Sequence, residues 1–237
     1  MFIAKPGCVL VDADYSQIEL RVLAHISGDE ALCDAFRSGT DVHTMTAASV
    51  FGVNVADVTP LMRSYAKTVN FGIMYGMGEF SLAKDLGISV KEAREYIDNY
   101  FEKYKGVKSY MEGIIESAKE SGYVETMFAR RRTIAEINSS NFMVRSAGER
   151  MVRNTPIQGS AADIIKIAMV SVERELRSRG LKSSLILQVH DELIIEAYED
   201  EAELAAEILK TSMENAAKLV VPLVAEAKLG KSWYDAK

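Results

Sequence analysis

Two pairs of carboxylates, far apart in the sequence, interrupt apolar segments of the kind that forms strands. Asp12 and Asp14 belong to "CVLVDADYS", and Asp191 and Glu192 belong to "SSLILQVHDELIIEAY". Side chains alternate along an extended strand, so Asp12 and Asp14 are expected on one face. If the two strands are neighbours, Asp14 and Asp191 converge, and adjacent carboxylates repel unless they are protonated or bridged by cations.

Divalent cations such as Mg²⁺ suit this arrangement, because they take oxygen ligands and are held by one or two carboxylates plus substrate phosphates. Two such ions can stabilise the attacking and leaving oxygens of a phosphoryl displacement. Another interpretation stays open, in which His190, Asp191 and Glu192 lie at a bend that faces water. Asp12 and Asp14 can likewise be solvated turn residues.

A stripe of cations and aromatic rings is expected on the helix predicted for "RSYAKTVNFGIMYG". At about 100° per residue, the spacing of four brings Arg63, Lys67, Phe71 and Tyr75 onto one slowly winding face. Arginine and lysine bind phosphate oxygens, and an aromatic ring packs against a sugar or base. The stripe therefore predicts a triphosphate clamp. The alternative is a solvated basic edge beside an aromatic core contact.

A basic cluster lies in the second half of the chain. Arg130, Arg131 and Arg132 are consecutive, and Arg150, Asn154 and Gln158 recur every four residues. If a helix runs through this segment, the latter three line one face and suit phosphate, sugar and minor-groove contacts. A solvated helix face is the alternative.

Bulk composition restricts the function classes. The net charge of −6 argues against a nucleic-acid partner, because such domains are usually basic, but the local arginine cluster offsets this objection. No apolar run approaches the roughly 20 residues that span a bilayer, so no membrane partner is expected. Cys8 and Cys33 lack metal or disulfide spacing, which is typical of a reducing cytosol and predicts a cytoplasmic protein.

The elements that must position these residues are strands at both ends of the chain with helices between them, which predicts an α+β fold. A strand or hairpin is expected at "YVETMFARRRTI", a last strand at "VPLVAEAKLG", and a break or kink at Pro156. Helices are expected at Gln17 to His25, "DVHTMTAASVFG", "TPLMRSYAKTVNFGIMYG", Val90 to about Ser121, Asn141 to Arg179 and "EAELAAEILKTSMENAA".

Three of these segments, "DADYSQIELR", "RSYAKTVNFGIMYG" and "QVHDE", resemble in order the signature motifs of family A DNA polymerases, the bacterial DNA polymerase I type. "RRRTIAEINSSN" and "NTPIQGSAADIIK" resemble connecting segments of that family. The resemblance implies an antiparallel palm sheet backed by helices, with an inserted, mostly helical fingers lobe. The palm is expected at residues 1–40 and 146–237 and the fingers at 41–145. The thumb and exonuclease domains would be absent, so a truncated form is expected.

The resemblance also implies residue roles. Asp14, Asp191 and the Tyr15 carbonyl would hold two Mg²⁺ ions, with Mn²⁺ as a substitute, and Glu192 would be an auxiliary acid. Lys67 would protonate the leaving pyrophosphate. The implied nucleotide-binding set is Gln17, Glu19, His43, Arg63, Lys67, Phe71 and Tyr75. The implied contacts to DNA are Arg130, Arg131, Arg150, Asn154, Gln158 and His190. Ala129 departs from the family pattern, which has glycine at this position.

The implied function is template-directed DNA synthesis, in which a primer 3′-hydroxyl attacks a dNTP. The expected partners are primer–template DNA and dNTP, and the chain is expected to be a monomer. Two alternatives stay open: a module that binds dNTP or DNA weakly without synthesis, and a metal-dependent nuclease. The cationic helix disfavours the nuclease, because hydrolysis needs no triphosphate clamp.

Overall fold

A computed structural model describes residues 2–237, which form helices and short antiparallel strands. The helices are α1 (Ile18–Ser27), α2 (Glu30–Arg37), α3 (Val42–Phe51), α4 (Pro60–Met74), α5 (Glu79–Leu86), α6 (Val90–Lys103), α7 (Lys105–Ser121), α8 (Phe142–Ser178) and α9 (Ala202–Glu214). The strands are β1 (Cys8–Tyr15), β2 (Tyr123–Glu125), β3 (Arg131–Thr133), β4 (Ser184–Val189), β5 (Glu192–Tyr198) and β6 (Ala225–Gly230). This confirms the predicted α+β class. No helix among residues 2–237 is long and apolar enough to cross a bilayer.

The described residues divide into two compact units. The sheet unit comprises the chain up to Arg21 together with Ala161–Lys237, and the helical unit comprises Val22–Ser160. The predicted boundaries at residues 40 and 145 both fall inside the helical unit, because that unit begins at Val22 and includes the first half of α8. The division of the chain into palm and fingers stays a prediction.

The sheet of the sheet unit has the order β4-β5-β1-β6, and its neighbouring strands are antiparallel. In the central strand β1, Asp12 and Asp14 alternate with the buried Val11, Ala13 and Tyr15. The Tyr15 hydroxyl donates to the carbonyl of Met213 in α9, at 2.7 Å. The apolar face of β1 is therefore backed by a helix, and the opposite face carries its carboxylates.

The segment around His190 is a hairpin and not one continuous strand. Val189 pairs with Glu192, which leaves His190 and Asp191 as a two-residue turn. His190 has φ +52°, in the left-handed region that matches the twist of such turns. The predicted single strand is therefore wrong and the bend is confirmed: two of the three titratable residues lie in the turn, and only Glu192 is in a strand.

The helix predicted from Val90 to Ser121 is two helices. Tyr104 separates α6 from α7 with φ −110° and ψ 69°, outside the helical region. Its side chain is buried: the hydroxyl lies 3.0 Å from the Thr46 hydroxyl, and the ring centroid lies 4.9 Å from that of Tyr100. These contacts stabilise the non-helical backbone conformation of Tyr104.

Two predictions for the region after α7 have different outcomes. The hairpin is confirmed by the pairing of β2 with β3. Ala129, in its turn, has φ +61°, the left-handed conformation that favours the glycine of the family pattern. Of the predicted break or kink at Pro156, the break is wrong, because α8 continues through this residue, and the kink stays a prediction. Arg150, Asn154 and Gln158 therefore share a helix face.

An apolar cluster joins α7, β2, α8 and the short 3₁₀ helix Ala135–Asn138. Its buried members are Ile115, Ala118, Val124, Ile134, Ile137 and Val152. Gly148 of α8 lies directly against the 3₁₀ helix. A Cβ atom there would lie 2.9 Å from the Ile137 amide nitrogen and 3.0 Å from the Glu136 carbonyl carbon. The close helix packing therefore requires glycine.

We expect Gly148→Ala to lower the free energy of unfolding by about 1–3 kcal/mol, because the added methyl meets backbone that cannot rotate away. The matched control is Gly113→Ala in α7, where a Cβ meets nothing within 4 Å. This change should stabilise the chain by about 0.5–1 kcal/mol, since alanine is the better helix former. Thermal denaturation of both variants measures the difference, and equal shifts would contradict the packing argument.

Candidate functional site

The sheet unit brings the two predicted carboxylates together. The Tyr15 amide donates to the Asp191 carbonyl at 3.3 Å, which ties the end of β1 to the turn between β4 and β5. In the register of β1 and β5, Asp14 lies opposite Glu192. Asp14 is exposed, Asp191 is half-buried and Glu192 is buried. Residues 177 positions apart, Asp14 and Asp191, thus meet at one edge of the sheet.

Electrostatic repulsion is concentrated at this edge. Partial desolvation of the carboxyl group, followed by the charges of Asp191 and Glu192, raises the pKa of Asp14 to about 6. Burial and the charge of Glu192 raise the pKa of Asp12 to about 6 as well. The acids line a cavity of about 280 Å³. Its lining residues are Asp12, Asp14, Ser16, Glu192, Glu226, Lys228, Ala236 and Lys237.

Asp12, Asp14, Asp191 and Glu192 form an acid cluster at this edge. The sequence patterns do not indicate two further contacts to it. The Trp233 indole donates to Asp12 Oδ2 at 3.0 Å, and Lys237 Nζ lies 3.2 Å from Glu192 Oε2. The second oxygens of both acids, Asp12 Oδ1 and Glu192 Oε1, are buried without a partner. No local signal marks Trp233 or Lys237, because each reaches its acid through tertiary structure.

The acid cluster has the chemistry of a divalent-cation site, because its charges repel and two buried oxygens lack partners. Within residues 2–237, no three His, Cys, Asp or Glu side chains form a group that could hold a metal ion. Mg²⁺ does not need such a group, since it is commonly held by one or two carboxylates with waters and substrate phosphates completing its shell. The residues present fit an ion of that kind.

In the helical unit, α4 carries the predicted stripe. It begins at the cap Thr59, whose side chain accepts from the Met62 amide, with Pro60 at the first position. Arg63 and Lys67 are exposed on it. The half-buried rings of Phe71 and Tyr75 stack with centroids 6.2 Å apart. The helical spacing thus forms the stripe as the periodicity predicts.

An ion pair fixes Arg63. Its Nε lies 2.5 Å from Asp41 Oδ2 and its Nη2 lies 3.3 Å from Asp41 Oδ1. Burial raises the pKa of Asp41, but hydrogen bonds from Arg63 and Thr44 outweigh it and hold this pKa at about 2. Asp41 also caps α3 by accepting from the His43 amide at 3.2 Å. The two contacts of Arg63 with Asp41 use Nε and Nη2, so the Nη1 group of Arg63 lies outside the ion pair.

His43 lies beside the stripe. Its ring centroid is 5.9 Å from that of Phe71, and Asn70 Nδ2 lies 3.0 Å from His43 Nδ1. The residue is only 3% exposed. Burial lowers the pKa of His43 to about 4. The charge of Asp41 raises this pKa, whereas the charges of Arg63 and Lys67 lower it further. The ring is therefore neutral near pH 7.

The basic residues of the hairpin and of α8 also belong to the helical unit. Arg130 and Arg131 are exposed, and Arg131 bonds Glu125 at 2.6 Å. Arg150 and Gln158 are exposed on α8, whereas Asn154 is half-buried and its Oδ1 lacks a partner. The surface therefore combines cations with amide groups.

The remaining predicted residues lie in the sheet unit. Gln17 has φ +54° where the chain turns from β1 into α1, and Glu19 is half-buried in the first turn of α1. The buried Arg21 fixes this turn by donating to the carbonyls of Ser16 and Pro222, both at 2.7 Å. His190 is exposed in the turn beside Asp191.

Comparison with known proteins identifies the family. The model of DNA polymerase family A matches residues 1–235. The chain is 54% identical over 237 residues to DNA polymerase I of Caldicellulosiruptor bescii, covering 100% of this chain and 28% of that protein. It is 54% identical over 225 residues to DNA polymerase I of Bacillus subtilis, covering 95% and 26%.

A solved structure has the same fold. It is the POL domain of Pol1 from M. smegmatis in complex with DNA primer-template and dNTP, with 42% identity and a TM-score of 0.95. The match covers 99% of this chain and 41% of that chain. The chain thus spans about a quarter of the length of the curated relatives named above. On its sequence and its fold, the chain belongs to DNA polymerase family A.

Proposed function

We propose that the chain carries the nucleotidyl-transfer centre of a template-directed DNA polymerase, which joins a dNTP to a primer 3′-hydroxyl. The observation that carries this proposal is the meeting of Asp14 and Asp191 at one sheet edge, tied by the Tyr15–Asp191 hydrogen bond. Membership of DNA polymerase family A supports it, as does the similar POL domain that was solved with primer-template and dNTP.

Asp14, Asp191 and the Tyr15 carbonyl would hold two divalent ions, Mg²⁺ or Mn²⁺. When bound, such ions lower the pKa of an attacking hydroxyl and neutralise charge on a leaving phosphate. Glu192 would act as an auxiliary acid that adds negative charge beside them. Repulsion among these carboxylates, visible in the raised pKa of Asp14, makes a cation at this edge favourable.

The exposed cations of α4 would bind the nucleotide. Arg63 and Lys67 would contact the triphosphate, and Lys67 would then donate a proton to the leaving pyrophosphate. His43 would add a hydrogen bond to the phosphates, and Phe71 would pack near the nucleotide. Of the other predicted residues, Gln17 and Glu19 would contact the nucleotide, and Tyr75 would occupy the template position.

The basic surface of the helical unit would bind DNA. Arg130, Arg131 and Arg150 would contact phosphates, while Asn154 and Gln158 would contact sugar or base edges. His190, in the turn beside Asp191, would lie near the primer end. The chain would do this as a monomer, and its DNA affinity would fall as salt rises, because phosphate contacts release counterions.

Primer extension by the isolated chain, with labelled primer–template, the four dNTPs and Mg²⁺, tests the proposal. We expect templated products that disappear when EDTA replaces Mg²⁺. Binding titrations with dNTP and DNA, run beside it, identify a binding module: retained binding, even if weak, without products at high protein concentration would contradict the proposal. Release of nucleotides from labelled DNA without dNTP would instead indicate a nuclease.

A further inference from the structure

A chain of buried polar groups leads to His43. Thr46 Oγ1 lies 3.0 Å from the Tyr104 hydroxyl and 3.1 Å from Asn70 Oδ1, and Asn70 Nδ2 lies 3.0 Å from His43 Nδ1. The exposed fractions of these four residues are 0–3%. The groups come from α3, α4 and the junction of α6 with α7. A buried network of this kind is stable only when each donor meets an acceptor.

The hydrogen-bonding capacity of each group gives the network one direction. The Thr46 hydroxyl donates to Asn70 Oδ1, so its single proton is used and it must accept from the Tyr104 hydroxyl. The amide of Asn70 is thereby oriented with Nδ2 toward the imidazole. An amide nitrogen only donates, so His43 Nδ1 must accept and carries no proton. In the neutral ring the proton then belongs to Nε2.

We propose that Asn70 is a positioning residue that holds His43 in the neutral tautomer protonated at Nε2, so that the ring offers an uncharged N–H donor to the phosphates of a nucleotide. The part of this proposal that concerns phosphates rests on the function proposed above. The tautomer itself follows from the buried network alone.

The charges around His43 explain why an uncharged donor is favourable beside the cations of α4. Asp41, the cap of α3, acts on it, and so do Arg63 and Lys67 of α4. Two cations already supply charge for a triphosphate. A third charge that appears and disappears near pH 6.5 would make nucleotide affinity vary with pH, whereas a neutral N–H gives a constant, directional contact.

The decisive change is Asn70→Asp, which keeps the size of the side chain but replaces the donor by an acceptor. The carboxylate should accept from Nδ1–H, so the ring should change tautomer or become charged near neutral pH. A matched control is Asn99→Asp in α6, where the amide donates to the Val50 carbonyl at 3.1 Å and does not contact His43. Thr46→Val is a milder test, because it removes only the hydroxyl that orients the Asn70 amide.

Nitrogen-15 NMR of the ring nitrogens reads the tautomer directly, and the chain has only 3 histidines to assign. We expect unprotonated Nδ1 and protonated Nε2 for His43 in the unaltered chain and in Asn99→Asp, at every pH from about 5 to 8. Asn70→Asp should show protonated Nδ1, and Thr46→Val should show a mixture. Protonated Nδ1 in the unaltered chain, or no change in either variant, would overturn the proposal.

Steady-state kinetics then test the role. In Asn70→Asp the KM for dNTP should rise about tenfold and vary with pH between 6 and 8, with kcat changed much less, since a hydrogen bond to the nucleotide is altered. An unchanged, pH-independent KM would overturn the positioning role even if NMR shows the expected tautomers. Absence of extension by the unaltered chain would instead refute the proposed function and leave the NMR result to decide the tautomer.

Discussion

Asp14→Asn and Asp191→Asn should each lower the rate of primer extension by about a thousandfold or more, while Asp14→Asn makes the metal-free chain more stable. The loss follows because each carboxylate would hold divalent ions that contribute several kcal/mol to the transition state, at about 1.4 kcal/mol per tenfold in rate. Asparagine keeps the shape of aspartate but supplies no charge.

The gain in stability follows from the repulsion at the sheet edge. The folded chain disfavours the ionised form of Asp14, because partial desolvation and the charges of Asp191 and Glu192 raise its pKa to about 6. Because Asp14 is exposed and solvent screens these charges, removing its charge should raise the free energy of unfolding by only about 1 kcal/mol, or the melting temperature by about 2–4 °C. Functional sites commonly carry such a cost in stability.

Single-turnover extension and thermal denaturation in EDTA measure the two effects on the same samples. The control is Asp200→Asn, an exposed acid of the sheet unit that should change neither quantity. If Asp14→Asn or Asp191→Asn extended primers at the unaltered rate, that carboxylate would not be a metal ligand in the reaction. A lower melting temperature for Asp14→Asn would show that the carboxylate stabilises the fold and is not a strained functional group.

Lys67→Gln should lower kcat/KM for dNTP by about 10²–10³, the loss typical of one preorganised charge at a transition state. Arg63→Gln should act mainly on KM, because its role would be to bind phosphate in the ground state and the transition state alike. Lys67 would also donate a proton, so its loss should lower kcat. Kinetics should therefore distinguish the two residues: Arg63→Gln should mainly raise KM, whereas Lys67→Gln should also lower kcat.

Lys67→Arg separates charge from proton donation. Arginine keeps the cation but does not deprotonate at ordinary pH, so KM should stay near the unaltered value while kcat falls. Lys84→Gln, an exposed lysine of α5 in the same unit, serves as the control and should behave normally. If the kcat of Lys67→Arg equalled that of the unaltered chain, Lys67 would contribute its charge and no proton.

Local sequence was sufficient for the features that depend on near neighbours. The stripe of α4 follows from 3.6 residues per turn, and the strand character of β1 follows from its apolar residues. The order of three motifs indicated the family, which the comparisons confirm. The stripe, the strand pattern and each single motif lie within about 15 residues, so the chain carries them without any tertiary contact. The order of the motifs spans residues 12–192, but it too can be read directly from the sequence.

Tertiary structure alone decided the features that depend on distant contacts. Burial of Tyr104 against Thr46 separates α6 from α7, although the helical pattern continues through it. Trp233 and Lys237 reach Asp12 and Glu192 from the far end of the sequence. Such pairings depend on packing and on hydrogen-bond satisfaction in the folded chain, which residue spacing does not encode. The sequence thus determined which chemical groups are present, and folding determined which of them meet.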